Sequence, residues 1–409
     1  MTTPFPSRIR FSEAQQIIAR VAGAFPMPAE RVPLSRALGR VLAEDLVATL
    51  ALPGFDNSAM DGFALRSADG DAPRQLVGEQ FAGRTGGFVL GPGQCLRITT
   101  GAAMPAGADA VLVKENARVD ADTVFPLQTA RSGQHVRRMA EDVAVGDEVL
   151  ITGTVLDGSK LSLAAALGHH DLAVRRKPTV AVFTTGDELR APGQPLAPGE
   201  IYDSNRVLLQ ALLIAEGYEP VAWPVLADDP DTIAAALRDA AFSFDLVLTC
   251  GGVSAGEKDF LPGFLASEGQ VHFWKVLMRP GMPLLFGRLG DAHFLGLPGN
   301  PVSVLATFLT LGRLLLDGLQ GRATPRSRLR ARLTGDVVKS HERFEFLRGV
   351  LSCDHDGQLW VEPNPADGSH RLRAAAQSNA LIMLGEGAGR WSSGTVMDVL
   401  PYAGLEAGR

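Results

Sequence analysis

The sequence predicts a multidomain protein of the α/β plus β class, built around a central parallel sheet covered by helices. Three observations carry this. From Pro178 onward short apolar strands alternate with helical stretches, the pattern of a parallel sheet with helical crossovers. Residues 49–145 lose helical periodicity, and Gly and Pro recur between short apolar runs such as Ala110-Val111-Leu112-Val113, a β-rich texture. After about Pro325 short strands and turns return, as in Gly349-Val350-Leu351 and Trp360-Val361-Glu362, which reads as a small barrel or sandwich. With 409 residues, a prior of roughly 150 residues per domain allows two to four domains.

The elements follow in order. Residues 1–48 read as helical, with Ser12 capping a helix through Ile17, Ile18 and Val21 and a second helix over Ser35 to Leu46. Residues 156–167 are helical again. In the alternating region, Thr179 to Phe183 reads as a strand, and a helix follows from Asp203 or Ser204 to Glu216, closed by Gly217. A strand is expected at Val221 to Val225. Asp228-Asp229-Pro230-Asp231 then opens a helix to Ala241, with Asp228 and Asp229 as caps. Leu246 to Leu248 and Phe294 to Leu297 read as buried strands, the second running through Pro298-Gly299-Asn300-Pro301 into a long apolar helix. The domain boundaries expected are 1–48 with 146–177, then 49–145, 178–325 and 326–409.

Composition excludes several function classes. The net charge of −6 leaves no basic footprint for nucleic acid. Cys95, Cys250 and Cys353 are too few and too dispersed for a disulfide framework, which suits a reducing compartment. The start lacks the charged-then-apolar layout of a signal peptide. The greasiest stretch, Val302 to Leu316, is interrupted by Gly312 and Arg313 and reads as too short to span a bilayer. A cytoplasmic protein without membrane contact is expected. No Cys-x-x-Cys or Walker loop occurs.

Chemistry is expected beyond the carboxyl ends of the parallel strands. Three loops occupy that position: Thr184 to Leu189, Thr249 to Asp259, and Pro298 to Pro301. In the second, Gly251 and Gly252 bare the backbone N–H groups and suit a phosphate, although a plain tight turn uses the same residues. Glu188 and Asp259, with Asp187 as a substitute, are carboxylates of the kind that hold Mg²⁺ on substrate phosphates; a helix cap or surface charge is the blander reading. The turn around Asn300 is stiffened by Pro298 and Pro301. Lys275, Arg279 and Arg348 are candidate anion holders, although most such side chains are merely solvated.

Together these motifs resemble the MoeA and gephyrin E-domain family, the molybdopterin molybdenumtransferases. Ser58-Ala59-Met60-Asp61-Gly62-Phe63-Ala64 is similar to its Asp-Gly-Tyr/Phe-Ala signature. Thr100-Gly101-Ala102 with Pro105-Ala106-Gly107-Ala108-Asp109-Ala110-Val111, Glu141-Asp142, Thr185-Gly186-Asp187-Glu188-Leu189, Gly251-Gly252-Val253-Ser254 with Asp259, and Leu297-Pro298-Gly299-Asn300-Pro301-Val302-Ser303 resemble its other signatures in the same order. Gly368-Ser369-His370 and Asn379-Ala380-Leu381 resemble its last domain. The resemblance covers almost the whole chain. It implies an elongated linking domain, a β-rich second domain, a molybdopterin-binding α/β domain and a C-terminal β-barrel.

It also implies Mg²⁺-dependent insertion of molybdate into adenylylated molybdopterin with release of AMP. A homodimer is implied, with each cleft shared between the second domain of one chain and the last two of the other. Transient contact with molybdopterin adenylyltransferase or molybdoenzyme chaperones goes with that role. Carried over, Asp61, Asp142, Glu188 and Asp259 become catalytic candidates, with Asp259 and Glu188 at the metal. Thr100, Thr185, Gly251, Gly252, Ser254, Lys275, Arg279, Pro298, Asn300, Pro301 and Arg348 become substrate-binding candidates.

The chain departs from the family pattern at several positions. Met282 stands where a Lys is common, Ala374 where a Ser is common, Ala140 where Gly precedes Glu-Asp, and Lys258 where a small residue precedes Asp259. Losing an ammonium and a hydroxyl costs about 1–3 kcal/mol each where they contact an anion, which bears on molybdate more than on the pterin. Two competing readings are the preceding adenylylation step, which belongs to single-domain relatives, and a divergent non-catalytic scaffold that binds the pterin nucleotide.

Overall fold

The computed structural model describes residues 5–83, 86–253, 260–366, 368–404 and 406–407. The chain forms two compact units, one of Met1–Glu30, Gly39–Val41 and Arg175–Arg409, the other of Arg31–Leu38 and Leu42–Val174.

The first unit is organised by a seven-stranded sheet in the order Ser7–Ile9, Gln270–Val276, Leu285–Leu289, Ala292–Leu297, Leu246–Cys250, Val180–Thr184, Val221–Ala222. The last four strands are parallel, with Val182 beside Leu248 and Leu248 beside Leu295. The central three are buried along their whole length, which is why they read as continuous apolar runs without alternation. Helices Ser204–Ala215 and Pro230–Ser243 form where expected. Asp203 and Asp229 sit at their N-caps and accept from Arg206 N and Thr232 N. Asp229 is thus a cap; Asp228 is not.

The sheet is parallel at its centre, as expected, and one strand runs the other way. Leu285–Leu289 runs antiparallel to Ala292–Leu297 and to Gln270–Val276. Only Gly290 and Asp291 connect the first pair, and Gly290 takes φ +57°. So short a turn joins antiparallel neighbours only. The N-terminal strand Ser7–Ile9 joins this sheet beside Gln270–Val276.

The apolar helix runs from Pro301 to Leu319 with a π-helical stretch at Phe308–Gly312. At 19 residues and a mean hydropathy of 1.6 it is long and apolar enough to cross a membrane, contrary to the estimate from the shorter run. Inside the fold it is 72% buried, as a core helix is. The end of this unit is a closed barrel of five strands, Leu329–Leu333, Phe344–Cys353, Leu359–Pro363, Ala380–Leu384 and Val396–Pro401. Leu333, Leu351, Val361, Ile382 and Val399 fill it.

The second unit carries a six-stranded sheet in the order Ala110–Val113, Gly62–Leu65, Gln94–Ile98, Arg74–Gln80, Thr123–Pro126, Ala117–Asp120, as its Gly-punctuated texture predicts. Helix Gly158–Ala166 is capped by Asp157. Two helical expectations near the N-terminus are corrected. The first helix spans Phe11–Ala24 and begins after Arg10, so Ser12 lies inside it and is not its cap. No helix forms over Ser35 to Leu46. A single 3-10 turn at Leu34–Arg36 ends before Gly39, whose φ of +73° is left-handed, and Leu46–Val47 is a strand paired with Glu148–Leu150. The apolar spacing there serves a bridge from Leu42 to Val174.

Candidate functional site

The strands Val180–Thr184, Leu246–Cys250 and Ala292–Leu297 lie side by side and in register, Thr184 beside Cys250 and Cys250 beside Leu297. Their following loops therefore leave the sheet together. With residues 201–205 and 370–372 they line a cleft of about 590 Å³. Thr185, Glu188, Gly251, Gly252, Asn300 and Pro301 all line it; Pro298 lies just before, at the end of its strand.

Each wall has an identifiable cause. The Thr184 hydroxyl donates to the buried Asp203 carboxylate at 2.6 Å, and the other oxygen of Asp203 accepts from Arg206 N at 3.1 Å. One buried acid thus ties the first strand end to the start of the next helix. Beyond it the Glu188 carboxylate folds back over Gly186, where an added Cβ would lie 2.8 Å from a carboxylate oxygen. Asp187 accepts from Asp228 N at 3.0 Å, and Asp228 itself lines the cleft.

Gly251 and Gly252 have φ of +96° and +69°. A Cβ on Gly251 would approach the Thr185 hydroxyl to 3.1 Å, so the turn needs glycine for both conformation and space. The Gly251 N–H is already donated to the Leu297 carbonyl at 3.2 Å. Ser254 and Asp259 lie outside the described residues. Cys250 just before the turn is buried, and burial pushes its thiol up, which disfavours the thiolate.

The third wall is the Pro298–Pro301 turn. Pro301 takes the first helical position, where its missing N–H costs nothing. The Gly299 carbonyl accepts from the Asn205 amide at 2.6 Å, and the Asn300 amide donates to the Ser369 hydroxyl at 3.0 Å. Val302 N donates to the Ser369 carbonyl at 3.4 Å. These contacts fix the segment that brings His370 and Leu372 into the cleft.

The three expected anion holders are placed differently from one another, and none lines this cleft. Arg348 is buried, and its guanidinium donates to the carbonyls of Ala366 and Gly368, so it braces the Ser369 segment from behind. Arg279 pairs with Glu345 at 3.5 Å. Lys275 is buried in left-handed backbone, φ +68°, with its ammonium 3.9 Å above the Trp274 ring. The Trp274 indole donates to the Val253 carbonyl at 2.8 Å, so this pair stands behind the Gly251-Gly252 turn.

In the other unit, Asp61 accepts from Thr100 twice, from its N–H at 2.8 Å and its hydroxyl at 2.9 Å. These two bonds hold the Asp61 carboxyl below the usual carboxylate range. Asp142 is exposed, its N–H donating to the Leu52 carbonyl at 3.0 Å.

Among the described residues no group of three or more His, Cys, Asp or Glu is gathered as a metal cage. Glu188 and Asp228 both line the cleft. One or two carboxylates suit a Mg²⁺ that keeps its waters and binds substrate phosphates, so the donor set fits a substrate-borne ion and not a structural one.

Comparison with known proteins decides the family. Residues 9–168 match the MoeA N-terminal region (domain I and II), 181–317 a probable molybdopterin binding domain, and 330–402 the MoeA C-terminal region (domain IV). A molybdopterin molybdenumtransferase of Haemophilus influenzae is 38% identical over 383 residues, covering 92% of this chain and 95% of that protein. The chain belongs to the MoeA family of molybdopterin molybdenumtransferases. Molybdopterin molybdenumtransferase 2 of Mycobacterium tuberculosis is 39% identical, over 90% of this chain and 94% of its own. The crystal structure of the molybdopterin biosynthesis MoeA protein from Pyrococcus horikoshii OT3 superposes with a TM-score of 0.83 at 28% identity, covering 96% and 100% of the two chains. Membership places the chain among the transferases of molybdenum cofactor biosynthesis, and the match across all three MoeA regions favours that step over single-domain adenylylation.

Several cleft residues escaped the sequence reading. Asp203 carried only a capping signal, and Tyr202, Asn205 and Leu372 carried none. His370 belonged to a recognised signature but was not assigned to the cleft.

Proposed function

We propose that this MoeA-family chain inserts molybdate into the dithiolene of adenylylated molybdopterin and releases AMP, in the cleft at the ends of the three central strands. The observation that best supports this is Glu188 folded over Gly186 beside the Gly251-Gly252 turn, an arrangement suited to a phosphate and its cation. Both substrates are anionic, so the reaction needs positive charge where they meet. Mg²⁺, when bound, supplies part of it and polarises the bond to AMP; Glu188, with Asp259, would hold it.

The backbone from Gly252 onward receives the phosphates, and Thr185 and Asn300 position them. Pro298 and Pro301 stiffen the third wall, and Ser254 is assigned to substrate binding by its place in the family signature. Lys275 adds positive potential from behind the turn, Arg279 is held by its pairing with Glu345, and Arg348 acts by bracing the Ser369 segment. In a homodimer, Asp61, Thr100 and Asp142 of one chain close the cleft of its partner. Small molecules in the cytoplasm are the substrates, and transient contacts deliver and receive them.

Asp259→Ala tests the assignment. It should release no AMP from adenylylated molybdopterin while unfolding at the wild-type temperature. Retained turnover would remove Asp259 from the mechanism.

A further inference from the structure

We propose that Trp274 is a positioning residue for the transfer reaction. Its indole latches the turn that follows strand Leu246–Cys250, and its ring holds the Lys275 ammonium behind that turn. This rests on the functional reading above and adds to it a residue that fixes one wall of the cleft from outside.

A row of residues crosses the sheet in register beneath this turn. Trp274 lies beside Leu285, Leu285 beside Gly296, and Gly296 beside Thr249. At the usual spacing of strands the row spans about 14 Å. Gly296 leaves a notch in it, since a Cβ there would lie 2.6 Å from Cγ1 of Val253. The chain leaving Cys250 folds back over the row, and the buried Val253 side chain occupies that notch. The Val253 carbonyl then accepts from the Trp274 indole at 2.8 Å. Strands Leu285–Leu289 and Ala292–Leu297 separate the strand of the donor from that of the acceptor. The bond therefore ties the turn to a part of the sheet that its own strand does not touch.

The turn is one that gains from being tied. Gly251 and Gly252 stand in left-handed backbone, and glycine has the most conformational freedom to lose. The Gly251 N–H anchors one end on Leu297, and the indole anchors the other at Val253. Both glycines line the cleft and Trp274 does not, so its effect on a substrate passes through the turn. The indole is itself held: its backbone N–H donates to the Pro6 carbonyl at 3.0 Å, and the Phe5 ring meets it edge-on at 6.4 Å.

Lys275 supplies the second observation. Neighbouring strand residues ordinarily point to opposite faces. Lys275 instead takes φ +68°, and its ammonium lies 3.9 Å over the ring of its neighbour. A buried side chain in left-handed backbone costs free energy, and such residues cluster where a site needs them. The ring face attracts the ammonium, so Trp274 sets where this positive charge sits relative to the turn.

Two variants separate the duties. Trp274→Phe keeps an aromatic face for Lys275 and removes the N–H donor; Trp274→Leu removes both. Each full-length variant is compared with wild type, per folded molecule, by AMP release from adenylylated molybdopterin with Mg²⁺ and molybdate. Amide hydrogen exchange of residues 251–253 is followed in parallel. A freed turn receives phosphate less well in ground state and transition state alike, so Trp274→Phe should act on KM, raising it about fivefold. Trp274→Leu should raise KM likewise and also lower kcat about fivefold, because the ammonium facing the developing charge is no longer held. In both, the turn amides should exchange about fivefold faster, while those of Ala292–Leu297 keep the wild-type rate. Unchanged exchange in the turn overturns the latch. Faster exchange with wild-type KM and kcat in both variants overturns the positioning role and reduces the bond to a matter of stability. Equal kinetic losses in the two variants overturn the assignment of Lys275 to the ring. A wild type that releases no AMP overturns the functional reading and this role with it, and unlike a failed latch it leaves the exchange difference in place.

Discussion

The side-chain amide of Asn300 donates to the hydroxyl of Ser369 at 3.0 Å, across 69 residues of sequence. This bond joins the turn that follows a central strand to the segment presenting His370 and Leu372. Removing it with Ser369→Ala should leave the fold intact and raise KM for the nucleotide substrate, with kcat nearly unchanged. A bond of this kind contributes about 1 kcal/mol, so the expected rise is roughly fivefold. Steady-state kinetics on the variant checks this; an unchanged KM would show that the segment is held by other contacts.

Asp61 and Thr100 should behave as one device. Asp61 accepts both donors of Thr100; Thr100→Val removes the hydroxyl donor and keeps the N–H, so it should lower activity roughly tenfold, as for loss of one bond to a charged acceptor. Adding Asp61→Asn should cost less than the sum of the two single losses. The same bonds hold the Asp61 carboxyl low. Any acid limb in kcat/KM due to Asp61 should therefore lie below the ordinary carboxylate pKa in wild type and move up in Thr100→Val. Strict additivity in a double-mutant cycle would separate the residues.

His293 makes the protein acid-sensitive. It is buried on a central strand, and burial, with Arg288 and His272 nearby, lowers its pKa from 6.5 to about 4. The folded state thus binds fewer protons than the unfolded state between those values, and its stability rises with pH across the window. The contribution is complete above about pH 6.5 and is lost as pH falls toward 4, amounting to about 3 kcal/mol. Guanidinium unfolding across this range should show a smaller loss in His293→Phe than in wild type. Identical pH profiles would contradict the assignment.

Ala140 stands at φ +64°, in left-handed backbone, where the family signature carries Gly. A non-glycine residue there costs about 1 kcal/mol. Ala140→Gly should raise the unfolding free energy of its unit by about that amount. A neutral or lower melting temperature would mean that the neighbouring turn relaxes around the methyl group.

How much of this was legible follows from where the information resides. Val180–Thr184, Leu246–Cys250 and the caps Asp203 and Asp229 were readable because burial and capping are local signals. Convergence of their loops followed from one topological rule. The antiparallel return at Gly290 was hidden because a single Gly-Asp turn reverses the chain inside an otherwise alternating region. Ser35 to Leu46 has helical apolar spacing, yet Gly39 in left-handed backbone and the Leu42–Val174 bridge override it. Arg348 and Tyr202 were opaque for a different reason. What a guanidinium or a ring touches depends on how the intervening loop folds back, here onto Ala366 and Gly368 for one and Gln194 for the other.

The central claim is molybdate insertion in this cleft, and Met282 and Ala374 make it demanding, since they stand where the family commonly places Lys and Ser. The most direct measurement is AMP release from adenylylated molybdopterin with Mg²⁺, with and without micromolar molybdate. The account predicts release that depends on molybdate, with the residues at 282 and 374 tolerated. Binding of the adenylylated pterin without release at any molybdate concentration would contradict it and leave a chain that keeps the cleft without the transfer.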